Sequence, residues 1–197
     1  MRLTTFQKAL WAAAGLACLA YGTWVLVADP ATPPRAEAAF RPVFSLPDAE
    51  GRIRTEADFA GKHLLVFFGF TSCPDVCPTT LSEVAQVMDD LGPDADKVQP
   101  IFISVDPARD RRLGLAAYTS AFHPAILGLA GGEVQTRAAA ESFHIYFERQ
   151  DDAAAPDGYT MSHSPALYLI GPDGDWLRQF AYGTPASDIL NDLRSRL

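Results

Sequence analysis

The chain lacks an excess of basic residues. Its 16 Lys and Arg stand against 24 Asp and Glu, a net charge of −8. A phosphate-binding surface is normally basic, so no nucleic-acid partner is expected. Cysteines are few, three in 197 residues, which excludes a small disulfide scaffold. An odd number also leaves one outside any pair. There is no internal repeat and no low-complexity tract. What is present is a composition that is 48% hydrophobic and 20% charged, as in a globular domain rather than a disordered chain. The length suits one domain plus an appendage.

The appendage is at the N-terminus. Ala9 to Ala28 carries no charge, and only Gly15, Gly22 and Thr23 fall outside the apolar set. About twenty apolar residues span a bilayer core as a helix. Arg2 and Lys8 precede the run, so the basic flank should stay in the cytoplasm and the rest of the chain outside it. A cleaved signal peptide is the rival. Its apolar region is normally about 7–15 residues, and the small-residue site Ala36-Glu37-Ala38 lies far from the run. Lipid attachment at Cys18 would strand an apolar tail on the mature protein. The expectation is therefore a signal anchor over residues 1–28. A Pro-rich linker follows over 29–39, reaching on the order of 30 Å if extended. The outer domain is 40–197. It is more acidic than the whole chain, because Arg2 and Lys8 go with the anchor.

The outer domain alternates strands with helices. Leu64 to Phe70 is apolar throughout, as suits a central strand covered on both faces. A short strand at Val43 to Leu46 and a turn at Asp48 to Gly51 precede it. After Cys77, Pro78 suits a first helical position, and Leu81, Val84, Ala85 and Met88 form one apolar face up to Gly92-Pro93. Ile101 to Val105 is the next strand, and one helix is expected from Asp106-Pro107 toward Phe122. Further candidates are strands at 126–130, 144–148, 166–170 and 176–182 and helices at 133–143 and after Thr184-Pro185. Gln150 to Tyr159 is a polar loop. The pattern implies an α/β layer architecture.

The chemistry is expected where the central strand ends. There the sequence reads Thr71-Ser72-Cys73-Pro74-Asp75-Val76-Cys77-Pro78 and opens a helix. Strand ends of open α/β sheets bind ligands. A helix N-terminus lowers a thiol's pKa, and the thiolate attacks disulfides and binds metals. Across one helical turn the two Cα atoms lie roughly 6 Å apart. That spacing permits a disulfide when oxidised and a soft-metal site when reduced. A merely structural bridge would close a very small loop and stabilise little.

A third ligand is wanted. His63 is at the wrong end of the central strand, His123 is at a helix exit, and His144 sits among aromatic residues. His163 lies where a polar loop enters an apolar strand. On spacing alone it is as readily a satisfied loop histidine as a ligand.

The segment GFTSCPDVCPTTL resembles the signature of the Sco/SenC proteins. ISVDPARD (Ile103 to Asp110) and HSPALYLIGPDG (His163 to Gly174) resemble two further blocks of that family in the expected order. The resemblance implies a thioredoxin-like α/β fold, a central mixed sheet flanked by helices, behind an N-terminal transmembrane helix. It implies a copper chaperone holding one copper ion, Cu(I) or Cu(II), through Cys73, Cys77 and His163. The implied client is the dinuclear copper site of cytochrome c oxidase subunit II. A copper donor and a thiol reductant are implied as further partners. The implied location is a single-pass position in the bacterial inner membrane with the domain in the periplasm.

The alternative is a thiol–disulfide reductase using Cys73 and Cys77 as its redox pair on that subunit or another protein. A peroxiredoxin-like peroxidase would need a Thr-X-X-Cys loop that is absent here in that form.

Family members usually carry Asp before the histidine, where this chain has Ser162. An acidic neighbour there would orient the ring. Arg111-Arg112 replaces a usual Thr-Pro. Asp106 matches a family aspartate near the copper, facing it or a partner, and is equally placed to be a helix N-cap. Met161 is a conceivable soft fourth ligand or simple packing. Pro165 sits where thioredoxin-like folds carry a cis-proline, which implies a cis Ser164–Pro165 bond.

Overall fold

The computed structural model describes residues 4–28 and 40–197. The chain divides into two units between Ala39 and Phe40, each treated by itself. In the first, the uncharged run forms part of a single helix, α1 (Thr5–Ala28). The side chains of residues 25–28 lie outside the described residues, as does the whole of the expected linker, 29–39. Among the described residues no helix is both long and apolar enough to cross a membrane.

The second unit is built on a five-stranded sheet. Its strands are β3 (His63–Gly69), β4 (Val98–Ser104), β5 (Leu127–Leu129), β8 (Leu167–Ile170) and β9 (Trp176–Phe180), in the order β5-β4-β3-β8-β9. β3, β4 and β5 run parallel, while β8 and β9 are antiparallel to their neighbours. The sheet is therefore mixed, and the architecture is thioredoxin-like. Every residue of β3 is buried, which explains why its sequence shows no alternation.

Each parallel step needs a helical crossover. α2 (Val76–Leu91) links β3 to β4 and contacts both α4 (Leu115–Phe122) and α6 (Ala186–Arg194). Phe67 and Phe102 meet on that face of the sheet, with Tyr118 of α4 edge-on to Phe102 at 6.0 Å. On the other face Phe68 and Tyr168 both pack edge-on to Phe143, which ends α5 (Glu133–Ser142). A small hairpin of β1 (Ser45–Pro47) and β2 (Ile53–Thr55) lies beyond, with α5 against β1.

Three local expectations change. The helix expected across 107–122 is two, because Gly114 takes φ 84° between α3 (Pro107–Leu113) and α4. That left-handed conformation ends a helix and favours glycine. The strand expected at 144–148 starts only at Phe147, since His144 has φ 54°. The polar loop expected over 150–159 is shorter, 152–158, and joins the two strands of a hairpin, β6 (Phe147–Asp151) paired with β7 (Tyr159–His163). Neither strand has a buried face, so no apolar alternation marks them.

Phe68 is wholly buried at the centre of this arrangement. Phe68→Ala is expected to cost about 3–5 kcal/mol. Urea unfolding should show it as a lower midpoint at an unchanged slope.

Candidate metal centre

The two cysteines are set by how β3 gives way to α2. β3 ends at Gly69, the chain turns with Cys73 N–H donating to Phe70 O (3.2 Å), and α2 starts at Val76. The helix begins two residues before the expected start at Pro78. Proline is tolerated there because every N–H of a first turn lacks an intrahelical partner. Cys77 thus lies inside the first turn and is fully buried, while Cys73 is half-buried on the preceding loop.

Asp75, at the N-cap position, makes no side-chain cap. Cys73 Sγ takes that role instead, accepting from Cys77 N–H at 3.4 Å. A hydrogen bond from the Cys77 thiol is the main reason the Cys73 pKa falls from 9.0 to about 4, with His163 and backbone N–H groups adding to it against the cost of burial. The same bond, then burial, pushes the Cys77 thiol far up. At neutral pH the pair therefore holds one thiolate at Cys73 and one thiol at Cys77.

Gly69 makes room for this. A Cβ there would lie 2.7 Å from Cys77 Sγ and 2.9 Å from the Phe102 ring. The loop is tied down from below by Asp110, fully buried, which accepts from Thr71 N–H (3.0 Å), Thr71 Oγ1 (2.7 Å) and Ser104 Oγ (2.6 Å). Burial raises its pKa against those bonds. Sequence reasoning treated Gly69 and Asp110 only as parts of longer blocks. The one available signal was a glycine inside an otherwise bulky strand, which marks a close approach.

His163 arrives from the opposite direction. It is the last residue of β7, not the first of a new strand. The root of the hairpin is closed by Ser164 N–H donating to Tyr146 O (3.0 Å) and Tyr146 N–H donating to Ser164 Oγ (3.1 Å). His163 Nδ1 lies 3.0 Å from Ser164 O, and a carbonyl can only accept, so Nδ1 carries the proton. Nε2 then faces the sulfurs, 3.6 Å from Cys77 Sγ. The edges of Phe67 and Phe70 hold the ring from two sides at 5.9 and 5.8 Å.

The structure brings together Cys73, Cys77 and His163, whose ligand atoms all lie within 4.8 Å of one another. Ser162 is on the other face of β7, because side chains alternate along a strand. The orienting task expected of that position falls to the Ser164 carbonyl. Pro165 is exposed, and no cis bond exists among the described residues, so the expected cis Ser164–Pro165 bond is corrected to trans. The trans form is the preferred state of a prolyl bond, and the Tyr146–Ser164 bonds make the turn without the rarer isomer.

Asp106 precedes α3 at the N-cap position but caps nothing with its side chain. It accepts from Tyr159 OH at 3.0 Å and lies 2.7 Å from Arg109 Nε. Met161 packs against the core and lines a cleft of about 860 Å³ with Tyr159, Phe147, Thr136 and Ala140. His63 is buried at the start of β3, His123 lies 3.5 Å from Asp89, and His144 stacks on Phe40 at 4.9 Å. Cys18 belongs to α1 in the other unit.

Two sulfurs and one imidazole nitrogen are a soft donor set that suits copper. The model of the SCO1/SenC family matches residues 32–197. The bovine protein named "Protein SCO2 homolog, mitochondrial" is 39% identical over 156 residues, covering 78% of this chain and 58% of that protein. A "SCO2-like protein" of Rickettsia felis is 33% identical over 151 residues, 77% of this chain and 74% of its own length. The structure of Bradyrhizobium japonicum ScoI with copper bound superposes with a TM-score of 0.72 at 37% identity, over 81% of this chain and 100% of that one. Yeast Sco1 with copper bound gives 0.72 at 30% identity, over 80% and 88%. The chain spans about three-fifths of the length of the mammalian relatives it matches.

Two outcomes are expected from this geometry. Cys73 should alkylate rapidly at neutral pH and keep its reactivity until the pH falls through about 4, where the thiolate is protonated. Cys77→Ala, lacking the thiol donor, should move that midpoint up toward the ordinary value; iodoacetamide rates against pH read both. Gly69→Ala should displace Cys77 Sγ and weaken copper binding while leaving a folded domain, as chelator competition and circular dichroism would show.

Proposed function

The chain belongs to the SCO1/SenC family, and on that premise we propose that it is a membrane-anchored copper metallochaperone. It carries one copper ion on Cys73, Cys77 and His163 and hands it to the dinuclear copper site of cytochrome c oxidase subunit II. The observation that carries the reading is the convergence of two sulfurs and Nε2 within 4.8 Å, with Nδ1 anchored to the Ser164 carbonyl. The solved relatives with copper bound support copper as the cargo.

Delivery would proceed by ligand exchange. Cys73 is half-buried and already a thiolate, so it is the ligand an incoming donor or acceptor meets first. Cys77 must lose its proton for the metal to bind, so loading releases a proton. Only the reduced pair binds Cu(I), which requires a thiol reductant as well as a copper donor.

The domain is held at the membrane by residues 1–28, joined through 29–39 to the copper-binding domain at 40–197. Support comes from the uncharged run Ala9 to Ala28, all of it helical in α1, and from Arg2 and Lys8 ahead of it. The basic flank puts the domain on the outer, periplasmic side of a bacterial inner membrane in a single pass.

A second reading, thiol–disulfide reductase, is favoured by the unequal thiols. The Cys73 thiolate would attack a partner disulfide and release one partner thiolate. Cys77 would then attack Cys73 Sγ, release the second, and leave a Cys73–Cys77 disulfide, passing two electrons to the partner.

His163→Ala separates the two. In the reduced full-length protein in detergent, it should weaken Cu(I) binding beyond the roughly 10–100-fold typical of losing a ligand's outer partner. Thiol–disulfide exchange by Cys73 should continue. Unchanged copper affinity in a chelator titration would remove His163 from the site and favour the reductase.

A further inference from the structure

The strand that carries His163 is not part of the central sheet. Among the described residues, β6 and β7 pair only with each other. On one side the cleft of about 860 Å³ separates this hairpin from α5. Its root is closed by the Tyr146–Ser164 hydrogen bonds. Near its tip Arg112 and Asp157 form an ion pair that is well exposed, and such pairs contribute little. Met161 of β7 and Phe147 of β6 pack against the core, but apolar contacts are not directional, and the position of Nε2 relative to the sulfurs depends on how the end of β7 is docked.

Arg109 of α3 meets that need. It is buried, at 2% exposure, and Nη1 donates to Tyr159 O at 3.2 Å. The guanidinium carbon lies 4.2 Å from the centroid of the Tyr159 ring and 5.6 Å from that of Phe70. Arg109 Nε is 2.7 Å from Asp106 Oδ2, and Asp106 accepts in turn from Tyr159 OH. Tyr159 and His163 are four residues apart on β7 and so share a face. Phe70 stands perpendicular to the His163 ring, 5.8 Å away. One planar cation on α3 therefore touches the strand that carries the histidine, the ring that flanks the histidine, and the Asp106 carboxylate just ahead of its own helix.

We infer that Arg109 is a positioning residue for His163, docking β7 so that Nε2 stays within reach of the cysteines. This inference rests on the copper-site reading above. A buried guanidinium is costly unless paired, and its planar fork serves a carbonyl, a carboxylate and two ring faces together. A lysine ammonium keeps the charge but cannot make that set of contacts.

The test uses the reduced full-length protein with Arg109→Lys, His163→Ala and the double variant. Arg109→Lys should weaken Cu(I) binding by roughly 10–100-fold, the range for losing an outer partner of a ligand. The double variant should bind no more weakly than His163→Ala alone, since both changes act through one ring. In the copper-free protein the His163 ring signals in NMR should shift or broaden in Arg109→Lys while the Cys77 amide stays put. Tyr159→Leu, which removes the ring beneath the guanidinium at a half-buried position, gives an independent reading of the same two quantities. Losses that add, or parent-like affinity with unmoved His163 signals, overturn the inference. If His163→Ala itself binds copper like the parent, the site reading fails, and the ring signals still decide whether Arg109 positions His163.

Discussion

Cys77 Sγ sits against the backbone of Gly69, in space that a single Cβ would fill. Much of the site depends on that contact. It sets the first turn of α2 on the end of β3. With the turn in place, the Cys77 N–H and thiol both point at Cys73, and one sulfur becomes a thiolate while its neighbour keeps a proton. The pair is then unequal in charge and in exposure before any metal or partner arrives. A site of two equivalent, exposed thiols would lack that asymmetry.

Two kinds of support hold the three candidate ligands. The cysteines are mounted at the junction of a wholly buried central strand and the helix that follows it, with Asp110 pinning the loop between them. The histidine is mounted on a hairpin that the sheet does not hold. Such a division would suit the copper carrier proposed above. Cargo held too rigidly on all sides would be slow to leave, and a ligand on a separately docked element can give way while the sulfurs stay placed. The ring itself is oriented by the Ser164 carbonyl, so Nε2 already faces the sulfurs.

Much of this was legible in the sequence, and the rest was hidden for physical reasons. β3, α2, β4 and β8 were readable because burial forces apolar residues into runs or helical spacing. The cysteine motif was readable because strand, turn and helix signals follow one another within a few positions. The hairpin was not, because β6 is largely exposed, β7 is half-buried throughout, and neither strand carries an alternation. That error placed His163 at the start of a strand instead of the end of one. The split at Gly114 needed a backbone angle, not a residue pattern. Ser162 drew attention as the residue beside the histidine, yet strand alternation turns it away and the next carbonyl does the work. Arg109 and Tyr159 meet across fifty residues of sequence, which no local reading exposes, and Gly69 shows locally only as a glycine in a bulky strand.

The central claim is that one copper ion binds the reduced protein through both sulfurs and one imidazole. X-ray absorption at the copper edge of the reduced, Cu(I)-loaded full-length protein tests it most directly. The account predicts a first shell of two sulfurs and one nitrogen at a copper-to-protein ratio of one. A shell of sulfur alone, or one dominated by oxygen and nitrogen, would contradict it.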